Sequence, residues 1–200
     1  RLQAMATDTN LTVRHAVVRN LVTLHQIAPN EMWEMAEKFV ALEKDAGVMH
    51  GFAAAFLGRT RFVDAQRTET MLIAIQSRFP FSLPGDNGGR HNHLDETMAQ
   101  LFVLLYVWHD LGSSKQEVFR WVANPLRHDE QIRSGLWIVR EAASAGYDTD
   151  TAEAREPRKR VQGLITAVVD RTAEALERHF RLAPAMQNAN RQEAVAYAKC

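Results

Sequence analysis

His109 and Asp110 end the apolar run VLLYVWHDLG, and an imidazole beside a carboxylate can hold a divalent cation and let it activate water. A metal centre needs further donors. The nearest histidines upstream are His91 and His93, yet His93 and His109 stand sixteen residues apart along what reads as one helix. That is about 24 Å at 1.5 Å per residue, against metal–ligand distances of about 2 Å, so only a break in the helix would close the gap. A histidine and an aspartate at a helix end also need no metal to explain them, because a protonated imidazole suits the negative end of the helix dipole. A second cluster, HNHLDE, sets His91 and His93 two positions apart, whereas a zinc pair on a helix requires a spacing of four. Asp95 and Glu96 read instead as acidic residues stabilising a helix N-terminus, and His128, Asp129 and Glu130 repeat the arrangement further along.

Nucleophilic and phosphate-binding patterns are not met. The glycine-rich GDNGG follows no apolar strand and precedes no Lys-Ser or Lys-Thr, so it matches neither a phosphate loop nor a dinucleotide fingerprint. No serine sits in a GxSxG elbow, and Cys200 has no local base. The basic run REPRKR, like the looser set Arg59, Arg61 and Arg67, lacks the interleaved aromatics of a single-strand binder and reads as a solvated helix face. Trp33, Trp108, Trp121 and Trp137 fall on apolar helical faces and read as core. These residues call for no catalytic group, no metal and no cofactor. The best contact site is the exit of the long Pro/Gly loop over 80–92, at Arg90, His91 and His93, because long loops on rigid scaffolds carry recognition.

His109 and Asp110 do resemble the metal-binding dyad of HD phosphohydrolases. That resemblance implies, as the alternative function, metal-dependent hydrolysis through those two residues.

The elements that must position these side chains are helical throughout. With 46% hydrophobic and 24% charged residues, 200 residues suffice for one soluble domain with a sizeable core. Lysine plus arginine and aspartate plus glutamate balance at 24 each, which argues against a general polyanion binder. The lone cysteine excludes an internal disulfide framework and fits a reducing cytoplasm. No apolar run approaches the ~20 residues that span a bilayer. An opening Arg1 without a signal pattern reads as a piece of a larger protein.

Apolar periodicity predicts a first helix over 10–27, with Val13, Val17, Leu21 and Leu24 on one face, and a second capped by Asn30 and running to Lys44. Ala46 and Gly47 read as a break before a third face, Val48, Phe52, Ala55 and Phe56, that closes at Gly58. A fourth helix covers 64–78 and a fifth covers 93–111 behind the cap Asn92. Ser114 and Glu117 have capping-box spacing for a sixth, stopped by Asn124 and Pro125. Ile132, Leu136 and Val139 mark a seventh, a polar connector comes after Gly146, and an eighth covers 161–180. Residues 181–200 hold few apolar anchors and read as a weakly ordered tail behind a single helical-repeat domain over 8–180.

Faces beginning at Val13, Val48, Leu94 and Ile132 recur every 35 to 45 residues or so. With Asp8 and Arg14 as an acidic and basic pair at the first helix, the pattern resembles HEAT and armadillo repeats, and NEMWEMAEKF and WVANPLRH give it a looser resemblance to the helical-repeat arms of large bacterial signalling NTPases. The resemblance implies an all-α fold, an α-solenoid of about four antiparallel helix pairs, in which Asp8 and Arg14 tie neighbouring repeats. The function it implies is a non-catalytic protein-interaction or scaffold segment, cytoplasmic, binding a protein partner or neighbouring domains of the parent chain, with no membrane and no nucleic acid.

Overall fold

Asn10 fixes where the first helix begins: its side-chain oxygen accepts from the Thr12 N–H at 2.9 Å, satisfying a donor that the first turn leaves unpaired. Helix α1 (Leu11–Asn20) then tightens into a 3₁₀ stretch, Leu21–Gln26, before Pro29 starts α2 (Pro29–Leu42). The computed structural model describes residues 5–82, 92–145 and 152–181, and among these there are eight α-helices and no strand. Asp45 caps α3 (Ala46–Phe52) by accepting from the Val48 N–H at 2.9 Å, and α3 runs on through a π-helical segment, Ala53–Leu57, and a closing turn, Gly58–Thr60. Asp64 caps α4 (Ala65–Arg78) in the same way, at the Arg67 N–H. The remainder are α5 (Asn92–His109), α6 (Gly112–Ala123), α7 (Pro125–Ala145) and α8 (Ala152–Arg181). None of the described helices is long and apolar enough to cross a membrane.

Backbone contacts group the chain into two units, residues 1–101 and 102–200, with the division falling inside α5. In the first, α1 packs on α3, and α2 packs on α4 and on the 3₁₀ stretch. An aromatic ladder forms the core: Phe39 lies 5.2 Å from Phe52, Phe52 stacks on Phe56 at 4.9 Å, and Trp33 meets Phe56 edge-on at 5.5 Å. Met32, Ala36, Met49, Leu57, Leu72 and Ile75 fill the space around it. Full burial of one such side chain stabilises the fold by about 1.5–3 kcal/mol, so this ladder dominates the unit. Thr60 and Thr68, both buried, satisfy each other by a hydroxyl bond of 3.0 Å.

In the second unit α6 packs on α7, and α8 packs on both. Phe102 meets Trp121 edge-on at 5.9 Å, and Val118, Val122, Ile132, Leu164 and Val168 close the core. Gly135 lets α7 approach α5: a Cβ there would stand 2.7 Å from Val103 Cγ2. Arginines finish helices in both units. Arg78 donates to the carbonyls of Val40, in the last turn of α2, and of Glu43, just past it, and Arg160 donates to the Val107 carbonyl at 2.5 Å near the end of α5.

Several expectations shift. Asn30 lies inside α2, because Pro29 takes the first helical position, where its missing N–H costs no bond. Ala46 and Gly47 form the first turn of α3 behind the Asp45 cap, and Gly58 continues that helix through the π segment. Leu111 holds the position before α6 and makes no side-chain cap bond there, so Ser114 is interior to the helix. Helix α8 starts at Ala152 and carries REPRKR, Pro157 included, because the surrounding Ala, Glu, Arg and Lys favour helix strongly enough to bridge one lost N–H. Trp108 and Trp137 are exposed, whereas Trp33 and Trp121 are core. The expected tail over 181–200 lies, from residue 182 on, outside the described residues, as does most of the loop over 80–92.

Candidate functional site

Arg14 donates four side-chain hydrogen bonds among the described residues. Its Nε donates to Glu43 Oε2 at 2.7 Å and its Nη2 to Glu43 Oε1 at 3.2 Å, a bidentate pair spanning α1 and the end of α2. Nη1 donates to the Asp8 carbonyl at 2.6 Å. The expected tie to the Asp8 carboxylate is therefore corrected: that carboxylate accepts from the Asn10 N–H at 2.8 Å, within its own turn, and the carboxylate partner of Arg14 is Glu43. Glu43 Oε1 also accepts from the Lys44 and Asp45 N–H groups, which locks the carboxylate where α2 gives way to the turn before α3. The hydrogen bond to Glu43 raises the pKa of Arg14 against the opposing effect of burial.

Beside this pair lies a groove of about 470 Å³. Met35 and Phe39 floor it, Leu42 stands on its rim 60% exposed, and Lys38 and Lys44 line it without an ion pair among the described residues. Helical spacing explains the set, since Met35, Lys38, Phe39 and Leu42 succeed one another within three or four positions along α2.

On another side of α1 a second, polar cleft of about 470 Å³ is lined by Thr12, His15, Arg19, Asn20 and Arg59. The His15 ring lies so close to the Gly51 backbone that a Cβ at Gly51 would stand 2.5 Å from Nε2. The neighbouring His50 ring is 5.8 Å from that of His93. Burial lowers the pKa of His50, and the nearby His93 and His15 lower it further, while Glu96 acts the other way.

Of the three expected contact residues, Arg90 and His91 lie outside the described residues. His93 stands exposed at the start of α5, 3.7 Å from Glu96. His109 and Asp110 end the same helix; Asp110 adopts a left-handed φ of 54°, which lets it turn the chain out of α5, and its carboxylate lies 3.4 Å from Arg160 Nε. Among the described residues no three His, Cys, Asp or Glu side chains are grouped to hold a metal ion. No family model, curated protein or solved structure matches this chain. Sequence reasoning missed Glu43, Lys38, Lys44 and Arg19, whose significance depends on which helix they face. Only the amphipathic period of 29–42 hinted at the groove.

Proposed function

We propose that the chain is a non-catalytic protein-interaction or scaffold segment that receives an acidic amphipathic helix of a partner, or of a neighbouring domain of the parent protein, in the groove beside Arg14 and Glu43. The groove itself carries this reading. An apolar floor bounded by two ammonium groups, neither with a carboxylate partner among the described residues, matches a helix with an apolar stripe flanked by Asp or Glu. Arg14 and Glu43 neutralise each other at its base, so Lys38 and Lys44 set the local sign. The recurrence of apolar faces from Val13, Val48, Leu94 and Ile132 on every second helix, α1, α3, α5 and α7, supports reading the chain as a HEAT-like scaffold.

Panning a random helical-peptide library on the immobilised chain tests the reading. Selected peptides are expected to carry Leu, Ile or Phe at spacings of three and four with flanking Asp or Glu. They should bind Leu42→Glu/Lys38→Glu at least roughly tenfold more weakly, about 1.4 kcal/mol. Selection of peptides without that pattern, or equal binding to the double variant, overturns it.

A further inference from the structure

The polar cleft between α1 and the turn that closes α3 is independent of that groove and points to a different ligand. Two guanidinium groups line it, Arg19 from α1 and Arg59 from beyond the π segment. Three other arginines of this unit are engaged by oxygen acceptors, Arg14 with Glu43, Arg67 with Glu37 at 2.7 Å, and Arg78 with the Val40 and Glu43 carbonyls, while Arg61 lies over the Phe62 ring at 4.3 Å. Arg19 and Arg59 make no ion pair and no side-chain hydrogen bond among the described residues, and no described carboxylate lines the cleft. Both side chains are exposed to solvent, so an anion can reach either guanidinium from the cleft.

The cleft is also shaped. Ala16 and Ala55 face it, so small side chains on both helices leave the space open. Ala55 belongs to the π-helical segment, an uncommon geometry found frequently at functional sites, and the extra residue it inserts rotates the next turn of the helix, including Arg59. Gly51 admits the His15 ring against the backbone of α3, and His15 joins the two arginines in the lining. Thr12 adds a hydroxyl.

We propose that this cleft binds the phosphoryl group of a small organic phosphate. Two arginine forks give the planar, multidentate donor geometry that phosphate oxygens accept, and a phosphoryl dianion balances their two positive charges better than a single carboxylate would. A volume of about 470 Å³ lies within the range of small-molecule sites, leaving room for an organic body beside the phosphoryl group.

Calorimetric titration of the whole chain with AMP and glucose 6-phosphate, against adenosine, glucose and inorganic phosphate, tests this. At least one of the two phosphomonoesters should bind roughly tenfold or more tightly than both its dephosphorylated form and inorganic phosphate, with affinity falling as salt rises. Arg19→Gln and Arg59→Gln, surface changes that leave the fold intact by circular dichroism, should each weaken binding roughly tenfold. Gly51→Ala should weaken it with the charges unchanged, by displacing His15. If neither phosphomonoester binds at millimolar concentration, or both arginine variants retain wild-type affinity, the site is refuted. Inorganic phosphate binding as tightly as the esters would overturn the organic-phosphate assignment.

Discussion

Replacing Arg14 with methionine removes a cation from a carboxylate that is nearly out of reach of water. The Glu43 side chain is 3% exposed and that of Arg14 16%, and the two share bonds of 2.7 and 3.2 Å. Breaking one partner of a buried pair strands the other charge, a loss of about 3–5 kcal/mol, and the partial exposure of Arg14 places the expected loss near 3 kcal/mol. For a chain of this length each kcal/mol moves the thermal midpoint by about 2–4 °C, so Arg14→Met should unfold about 6–12 °C below wild type. The double variant Arg14→Met/Glu43→Met leaves no stranded charge and should recover at least half of that loss, because methionine keeps the buried volume. Unfolding monitored by circular dichroism for wild type, both single variants and the double variant gives the coupling energy directly. If Arg14→Met costs less than about 1 kcal/mol, or the double variant is no more stable than Arg14→Met, the pair is not what joins α1 to the end of α2.

Other perturbations probe the rest of the molecule. Gly135→Ala gains about 1 kcal/mol of helix propensity but drives a Cβ to 2.7 Å from Val103 Cγ2, so it should destabilise in urea, with no loss in a Val103→Ala background. Arg78→Ala uncovers the carbonyls of Val40 and Glu43 and should cost about 1.5–3 kcal/mol by urea denaturation; an unchanged midpoint would mean water replaces the guanidinium at no loss. His128 is held below its ordinary value of 6.5 by burial, then by Arg120 and Arg127, against Glu117 and Gln131. The unfolded state therefore binds more protons in that range, and the stability present above pH 6.5 falls as pH drops through the lowered value. His50, lowered by burial and by His93 and His15, acts in the same direction. A thermal midpoint that drops between about pH 7.5 and 5, with a smaller drop in His128→Gln, checks the sign.

Much of the helical pattern was legible because it depends on neighbours in the chain. Periodic Trp33, Ala36, Phe39 and Val40 marked the buried face of α2, and Asp64 marked the start of α4. Local rules failed where two of them competed: Pro29 displaced Asn30 from the cap, and good helix formers carried α8 through Pro157. The candidate sites were far less legible. Of the expected contact residues only His93 is described, and the role assigned to the Asp8 carboxylate belongs to Glu43, 29 residues beyond Arg14.

By itself the sequence determined the helices, because periodicity, capping residues and turn formers act over a few neighbouring positions. Tertiary structure alone decided which charges meet. Arg14 found Glu43 because the end of α2 comes back to the start of α1, Arg19 and Arg59 came to line one cleft because the π segment resets the helix between Gly51 and Arg59, and Lys38 and Lys44 stayed unpaired because no described carboxylate reaches them. Those pairings depend on how separate helices approach one another in space, which local sequence does not encode.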